Sequence, residues 1–378
     1  MLFQTPELVP AELDVIQRIE RVREGLRHQL PEHRRWVGLL RRITLARAIR
    51  GSNSIEGYDV TLGDAVAAVA GEEPIDADRE AWLAIVGYRD AMTYVLQLAD
   101  DPYFSLNEAL VRSLHFMMLK DAIDKSPGRW RHGPVFVLDE NTSEIVYTAP
   151  DAVEIPELMH EFVEASSEPG SPAIVRAAMA HLNLVMIHPF RDGNGRMARC
   201  MQTLVLARDG VVSPPFASIE EYLGRNTDTY YRVLAEVGGG GWHPERDARP
   251  WVRFALTAQY IQAQTLVRRT EEAEARWEAL SQEAARHGLP ERSIPALFNA
   301  AMGFRITNPH YREAAGVNEH AAGRDLKTLV GAGLLQPVGE RRGRSYVRTL
   351  RLQAIEESVR VKRLITSPFE PTTPTSGP

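Results

Sequence analysis

Residues His181–Gly210 read HLNLVMIHPFRDGNGRMARCMQTLVLARDG. Two apolar flanks with helical spacing enclose a polar centre, HPFRDGNGR. The first flank completes a helix expected over Pro172–Ile187. It must stop before Pro189, because proline disfavours helical backbone in the residue ahead of it. His188 therefore falls at a helix end, beside a turn. Asp192, Gly193, Asn194 and Gly195 supply backbone that turns at little steric cost, and a new helix is expected from near Arg196 to Gly210. Glycine-rich backbone leading into a helix N-terminus is a ready anion site, since unpaired N–H groups converge there. Arg196 and Arg199, three apart, can face the same ligand. Asp192 is placed to hold a cation such as Mg2+ beside that anion. His188, with an ordinary pKa near neutrality, can act as a base next to the phosphates. The parts together read as a nucleotide-phosphate site with base, metal and anion cradle.

The rest of the chain sets bounds on this reading. Its 378 residues allow two or three domains. Hydrophobic residues at 44% and charged residues at 25% fit a soluble globular protein. The net charge of −6 implies no general affinity for nucleic acid. The charge is uneven, however: residues 290–366 carry 13 Lys/Arg against 7 Asp/Glu, a local +6, which leaves −12 elsewhere. A single cysteine, Cys200, excludes an internal disulfide and any multi-cysteine metal site, and fits a reducing, cytoplasmic setting. The opening MLFQTPELVPAELD has no basic region followed by a long apolar core, so no secretory signal is expected. No apolar run approaches the roughly 18 residues of a membrane span.

Most of the chain is expected to be helical. Residues 10–45 and 79–99 carry apolar side chains at three- and four-residue spacing, separated by the polar, glycine-containing IRGSNSIEGYDVTLGDAV. Ser105 and Glu108 have the spacing of a capping box for a helix to about Leu119. Val135–Leu138 and Ile145–Thr148, joined by Asp139–Ser143, predict a β-hairpin. Helices follow over Ile155–Ser166 and Trp251–Leu280, and Gly238–Gly241 reads as a loop. After Pro290 come helical pieces at Ile294–Met302 and Asn308–Ala315. Asn318–Leu335 then has the pattern of a recognition helix, with Ala321, Leu326, Leu329 and Val330 inward and Asn318, His320, Arg324 and Lys327 outward. Two short strands follow, with Arg341, Arg342 and Arg344 at their tip. The ending SPFEPTTPTSGP, rich in Pro, Ser and Thr, is expected to be disordered.

Residues 188–199, HPFRDGNGRMAR, match the pattern HPFx[D/E]GNGRxxR at every fixed position, and on this motif the chain resembles the Fic family. Chance agreement is on the order of 10^-9 under uniform residue usage, which sets aside a helix–loop–helix with ordinary caps. The resemblance covers roughly residues 1–270. It implies a mainly α fold: a helical core at 101–270 with a small β-hairpin flap at 135–148. An N-terminal helical region at 1–100, a linker and winged helix-turn-helix domain at 271–366, and a disordered tail at 367–378 complete the expected organisation. The implied activity is transfer of AMP from ATP to a Ser, Thr or Tyr hydroxyl of a protein target, the chain itself included. Carried over, His188 would deprotonate that hydroxyl. Asp192 would bind Mg2+ bridging two phosphates. Gly193, Asn194 and Gly195 would form the anion hole, Asn194 and Arg196 would grip phosphate, and Arg199 would hold the γ-phosphate. Phe190 would anchor the core, and Arg191 has no assigned role. The flap would clamp a target segment by strand addition, and Tyr230 and Tyr231 would lie near the adenosine.

The resemblance extends upstream. Ser52-Asn53-Ser54-Ile55-Glu56-Gly57 fits the family's inhibitory pattern [S/T]xxxE[G/N]. A Glu56 carboxylate can pair with the Arg199 guanidinium, occupy the place of the γ-phosphate and keep the enzyme off. Other readings stay open: transfer of UMP, phosphate or phosphocholine, removal of AMP by a Glu56-oriented water, or a DNA-binding regulator whose Fic core senses nucleotide. The winged domain suits DNA contact, protein docking or plain packing, and with the N-terminal helices it offers surface for a homodimer.

Overall fold

A computed structural model of the chain describes every residue except 31–33, 75, 100, 139–143, 169, 210–215, 217, 341–343 and 370–378. Its helices are α1 (Pro10–Gln29), α2 (Arg35–Ser54), α3 (Leu62–Ala70), α4 (Arg79–Leu98), α5 (Glu108–Leu119), α6 (Ile155–Ser167), α7 (Ala173–Ile187), α8 (Asn194–Arg208), α9 (Glu220–Arg225), α10 (Thr227–Gly238), α11 (Arg249–Arg286), α12 (Ile294–Ala301), α13 (Asn308–Ala315), α14 (Glu319–Gly331) and α15 (Leu350–Ser358). Its strands are β1 (Phe136–Leu138), β2 (Ile145–Thr148), β3 (Ile306–Thr307), β4 (Leu335–Val338) and β5 (Ser345–Arg348). Contacts divide the chain into two units, one of residues 1–27, 43–264 and 365–378, the other of residues 28–42 and 265–364. Three of the four divisions fall inside helices, in α1, α2 and α11, and sequence composition does not mark them.

In the larger unit α7 and α8 pack side by side. Nearly every residue of α7 is buried, including the polar Arg176, His181 and Asn183. A helix apolar on most of its circumference belongs at the centre of a fold, and the Trp251 indole N–H of α11 seals it by donating to Ala178 O at 2.7 Å. The predicted hairpin forms: β1 and β2 pair antiparallel, Phe136 opposite Thr148 and Val137 opposite Tyr147. Its turn, Asp139–Ser143, lies outside the described residues. The buried Tyr147 donates its hydroxyl to Met186 O at 2.8 Å, tying the hairpin to the end of α7. The glycine tract serves the same hairpin, since Thr148 N donates to Gly240 O at 3.1 Å and Thr148 forms a parallel bridge with Gly241.

Four local expectations need correction. The N-cap of α5 is Asn107, whose Oδ1 accepts from Leu110 N at 2.9 Å; Ser105 lies outside the helix and Glu108 opens it. Helix α2 does not break at the polar stretch but continues to Ser54. Its Gly51 is there for a close approach, because a Cβ would lie 2.5 Å from Glu220 O. Helix α8 begins at Asn194, two residues early, so Asn194, Gly195 and Arg196 form its first turn. Within the tail expected to be disordered, Pro368 O accepts from Arg18 Nη1 at 3.3 Å and the Phe369 ring lies 5.5 Å from the Arg253 guanidinium carbon. Residues 370–378 lie outside the described residues.

In the smaller unit α12, α13 and α14 adjoin a three-stranded antiparallel sheet in the order β3-β5-β4. The strands β4 and β5 match expectation, and the two-residue β3 is too short to read from sequence. On α14 the inward set is Ala322, Asp325, Leu326 and Leu329, while Ala321 and Val330 are only half-buried. Asp325 can be buried because its Oδ2 accepts from Arg292 Nε at 2.8 Å and from the Tyr311 hydroxyl at 2.9 Å. His320, Arg324, Lys327 and Arg344 are exposed. Arg341 and Arg342 lie outside the described residues.

Candidate active site

The loop between α7 and α8 brings the motif together. His188 caps α7 in left-handed backbone, φ 51° and ψ 56°. Such backbone costs a non-glycine residue on the order of 1–3 kcal/mol and persists only where its surroundings hold it. They do. His188 N donates to Leu184 O at 3.0 Å, and His188 O accepts from Arg131 Nε at 2.8 Å. The ring Nδ1 faces Val185 O at 3.2 Å. Only a protonated Nδ1 can donate to that carbonyl, so Nε2 carries the free lone pair. Burial, with help from the Arg131 charge, holds the imidazole pKa below its ordinary value despite opposing pulls from Val185 O, Glu56 and Asp192. A neutral imidazole with a bare Nε2 is a base.

The anion loop is closed from inside. Asn194 accepts from Phe190 N at 2.9 Å and donates to Phe190 O at 3.0 Å. The Asn194 amide thus braces the loop with its oxygen and one of its two N–H groups, and the other N–H and the backbone N–H remain for an anion. The α8 ladder begins with Met197 N to Gly193 O at 2.9 Å, which aims the first-turn N–H groups of α8 out of the helix. Phe190 is fully buried and stacks on His115 with ring centroids 3.7 Å apart, an anchor as expected.

Three cationic groups surround this helix end. Arg196 is 1% exposed, yet its Nε and Nη1 have no hydrogen-bond partner among the described residues. Arg199 is equally buried; its Nε donates to Ser52 Oγ at 2.7 Å, and its Nη2 to Ser52 O at 3.0 Å and to Glu56 Oε1 at 2.6 Å. Its Nη1 has no partner among the described residues. A buried guanidinium with idle donors is costly, and an oxyanion ligand would satisfy it. Burial disfavours the Arg199 charge, but Glu56 more than offsets this and the pKa rises. The third group is Lys125, whose Nζ lies 2.6 Å from Asp192 Oδ2. Burial pushes the Asp192 carboxyl up, but Lys125, Arg196 and the Gly193 N–H outweigh it and hold the pKa below its ordinary value.

Glu56 sits where the sequence pattern puts it, opposite Arg199. Gly57 N donates to Ser54 O at 3.2 Å and Tyr58 N to Asn53 O at 3.0 Å, the paired bonds of a Schellman closure. Gly57 supplies the left-handed residue, φ 80°. The closure projects Glu56 over the first turn of α8 so closely that a Cβ on Gly195 would lie 2.5 Å from Glu56 Oε1. A side chain at 195 would push the Glu56 carboxylate aside.

The tyrosine pair separates. Tyr230 is 1% exposed, its hydroxyl lies 2.9 Å from His181 Nε2, and its ring packs near Trp251. Adjacent helical positions differ by about 100° in direction, so one tyrosine turns into the core. Tyr230 is thus packed into the core, next to Arg199. Tyr231 is half-exposed and donates its hydroxyl to Ile55 O at 3.3 Å, within the inhibitory segment.

Sequence reasoning missed Lys125, Arg131, His115 and Tyr58. Arg131 is buried and donates to four backbone carbonyls: His188 at 2.8 Å, Gly133 at 2.8 Å and Pro150 at 2.5 Å through its guanidinium, and Pro189 at 2.9 Å through its N–H. It joins the base of the hairpin to the motif. His115 accepts from Gly128 N at 2.8 Å and so donates through Nε2 to Asp192 O at 2.9 Å. Burial drops its pKa to about 4, which keeps it neutral.

Residues 105–206 match the model of the Fic/DOC family. Over these residues the chain is similar to a Fic domain. The match spans the region from just before α5 to α8 and contains the whole motif. Among curated relatives, a protein adenylyltransferase Fic of Nematostella vectensis is 31% identical over 212 residues, which are 54% of this chain and 44% of that protein. A protein adenylyltransferase fic-1 of Caenorhabditis elegans is 31% identical over 144 residues, 38% of this chain and 25% of that protein. The chain thus spans less than half the length of these relatives. Among solved structures, a Fic family protein from Desulfovibrio desulfuricans G20 superposes with a TM-score of 0.59 at 22% identity, covering 91% of this chain and 98% of that one. Fic-1 (residues 134–508) of C. elegans gives 0.54 at 22% identity, covering 68% and 72%. These likenesses show a Fic-type fold.

The site suits both ligands its motif implies. The idle donors of Arg196 and Arg199 beside a helix N-terminus fit a polyphosphate. Among the described residues no group of three or more His, Cys, Asp or Glu could cage a metal alone. A single carboxylate, Asp192, suits Mg2+ that arrives on phosphate and keeps several waters.

Proposed function

We propose that the protein transfers AMP from ATP to a hydroxyl side chain of a protein and that Glu56 holds it in an inhibited resting state. The observation that carries this is the 2.6 Å pair between Glu56 and the buried Arg199, set beside unpartnered guanidinium nitrogens at the N-terminus of α8. Both named relatives above are adenylyltransferases by their descriptions.

In the proposed reaction, Arg196, Arg199 and the first-turn N–H groups of α8 hold the triphosphate. Asp192 would hold Mg2+, which when bound neutralises charge between the α- and β-phosphates. His188 Nε2 takes the proton of the target hydroxyl. The hydroxyl oxygen bonds the α-phosphorus, the bond to the bridging oxygen breaks, and pyrophosphate leaves. Phosphoryl-type transfer asks the protein mainly for positioning and charge neutralisation, and this chain supplies both. The exposed Phe136, Ile145 and Val146 give the hairpin an apolar surface for the target segment, which would add as a strand. Tyr231 is available to the adenosine only if its bond to Ile55 O opens.

With Glu56 on Arg199 the terminal phosphate has no place, so ATP binds in a pose unfit for transfer. The bare Nε2 of His188 favours an enzyme over a nucleotide sensor, which needs no base. The smaller unit reads as a winged helix, and its exposed His320, Arg324, Lys327 and Arg344 suit contact with DNA phosphates. Weakening of duplex binding by salt separates this from protein docking.

The test uses ATP labelled at the α- or at the γ-phosphate with Glu56→Gly protein and Mg2+. Protein-bound label from the α-position alone supports AMP transfer. Label from the γ-position shows phosphate transfer instead, and label from neither, with another nucleotide or phosphocholine donor active, moves the donor assignment.

A further inference from the structure

The Lys125 ammonium occupies the carboxylate that a divalent cation needs, at 2.6 Å from Asp192 Oδ2. Its other contact is the Tyr58 hydroxyl at 3.3 Å. Tyr58 in turn sets its ring 5.3 Å from the Arg196 guanidinium carbon, and its N–H closes the Schellman motif that projects Glu56. One short segment therefore reaches each charged group of the phosphate site. Glu56 pairs with Arg199, Tyr58 covers Arg196, and Tyr58 holds the lysine that holds Asp192.

We propose that Lys125 is the resident cation of the resting site: it occupies Asp192 while the Glu56 segment is docked, and a divalent cation arriving with a nucleoside triphosphate must displace it. The proposal rests on the reading above only in taking Asp192 as the metal carboxylate. Its physical content is charge matching. Glu56 stands in for a terminal phosphate on Arg199, and Lys125 stands in for the metal on Asp192. The resting site is thus neutralised on both sides, and an incoming metal–nucleotide complex has two internal ion pairs to break. Lysine suits the part, because its ammonium is a point charge on a flexible stem and can leave the carboxylate without disturbing the backbone. Both partners are half-exposed, with side-chain exposures of 28% and 33%, so the pair is held but not locked. Lys125 is a positioning residue; it competes for Asp192 and takes no part in bond making.

The test is calorimetric titration of the full chain with a non-hydrolysable ATP analogue, once in EDTA and once in Mg2+. The ratio of the two dissociation constants is the metal coupling, and it is read without turnover. Lys125→Met should raise the coupling about two- to fivefold over wild type, the scale of a partly exposed ion pair. Tyr58→Phe, which keeps the ring and removes the hydroxyl, should raise it by a smaller factor. Lys125→Arg, which keeps the charge, should leave it at the wild-type level and shows that the site tolerates substitution. Asp192→Asn should abolish it. A coupling in Lys125→Met equal to wild type overturns the proposal. So does weaker nucleotide binding by Lys125→Met in EDTA with the coupling unchanged, since Lys125 would then be a phosphate ligand. If Asp192→Asn keeps its coupling, Asp192 is not the metal carboxylate and the proposal falls with that assignment, whereas AMP transfer itself stands or falls on the labelling experiment.

Discussion

At the scale of the residue, the surroundings of His188 fit it to the proposed role of base. The Nδ1 contact with Val185 O selects the tautomer, and burial favours the neutral ring. Because the pKa lies below the ordinary 6.5, the neutral base persists to lower pH than a free histidine would. The acid limb of the kcat/KM profile of Glu56→Gly protein should therefore fall below pH 6.5; a limb above that value contradicts the assigned environment. Much of the site was legible in sequence because the motif is contiguous: His188, Asp192, Arg196 and Arg199 lie within twelve consecutive residues. Lys125 and Arg131 were not legible, because they reach their partners across 67 and 57 residues. The different burial of the two tyrosines was not legible for another reason. Adjacent positions on one helix face different environments, and only packing shows which of them turns inward.

At the scale of the element, caps and closures position these side chains. The Schellman closure at Gly57 aims Glu56, the left-handed turn at His188 ends α7, and Arg131 binds the base of the hairpin to that turn. Helix existence was mostly legible from apolar spacing, but ends were not. Sequence favoured Ser105 as the cap of α5 because a Glu follows at the right distance, yet the side chain that accepts from the helix is Asn107. Asn107→Ala should lower stability by about 1 kcal/mol and Ser105→Ala by close to nothing, measured by urea unfolding. Equal losses would restore the capping box. The polar stretch at the end of α2 misled for a similar reason: Gly51 looked like a breaker and is instead a point where two backbones meet.

At the scale of the whole molecule, the larger unit depends on histidines kept neutral in its core. Burial drops the pKa of His115 to about 4 and that of His181 to about 3. His181 lies between Gln202 Oε1 at 2.7 Å and the Tyr230 hydroxyl at 2.9 Å, so the neutral ring donates through Nδ1 and accepts through Nε2. Both folded-state values are depressed, so between about pH 4 and the ordinary value of 6.5 the unfolded chain binds more protons than the folded one. Stability is then present above 6.5 and is lost as pH falls. Each histidine should account for about 2 kcal/mol between pH 7 and pH 5. Urea midpoints at those two pH values check this, and an unchanged midpoint contradicts it. No helix among the described residues is long and apolar enough to cross a membrane. The smaller unit's helices and the strands β4 and β5 were legible as well, while the assignment of residues 28–42 to it was not, because its bounds fall within α1 and α2 with no change in composition.

The central claim is a transferase held off by its own glutamate. Its most direct test is the intact mass of wild type, Glu56→Gly and the Glu56→Gly, His188→Ala double variant after incubation with ATP and Mg2+. The account predicts added AMP on Glu56→Gly alone. Equal labelling of wild type and Glu56→Gly would contradict the brake, and labelling of the double variant would contradict the base.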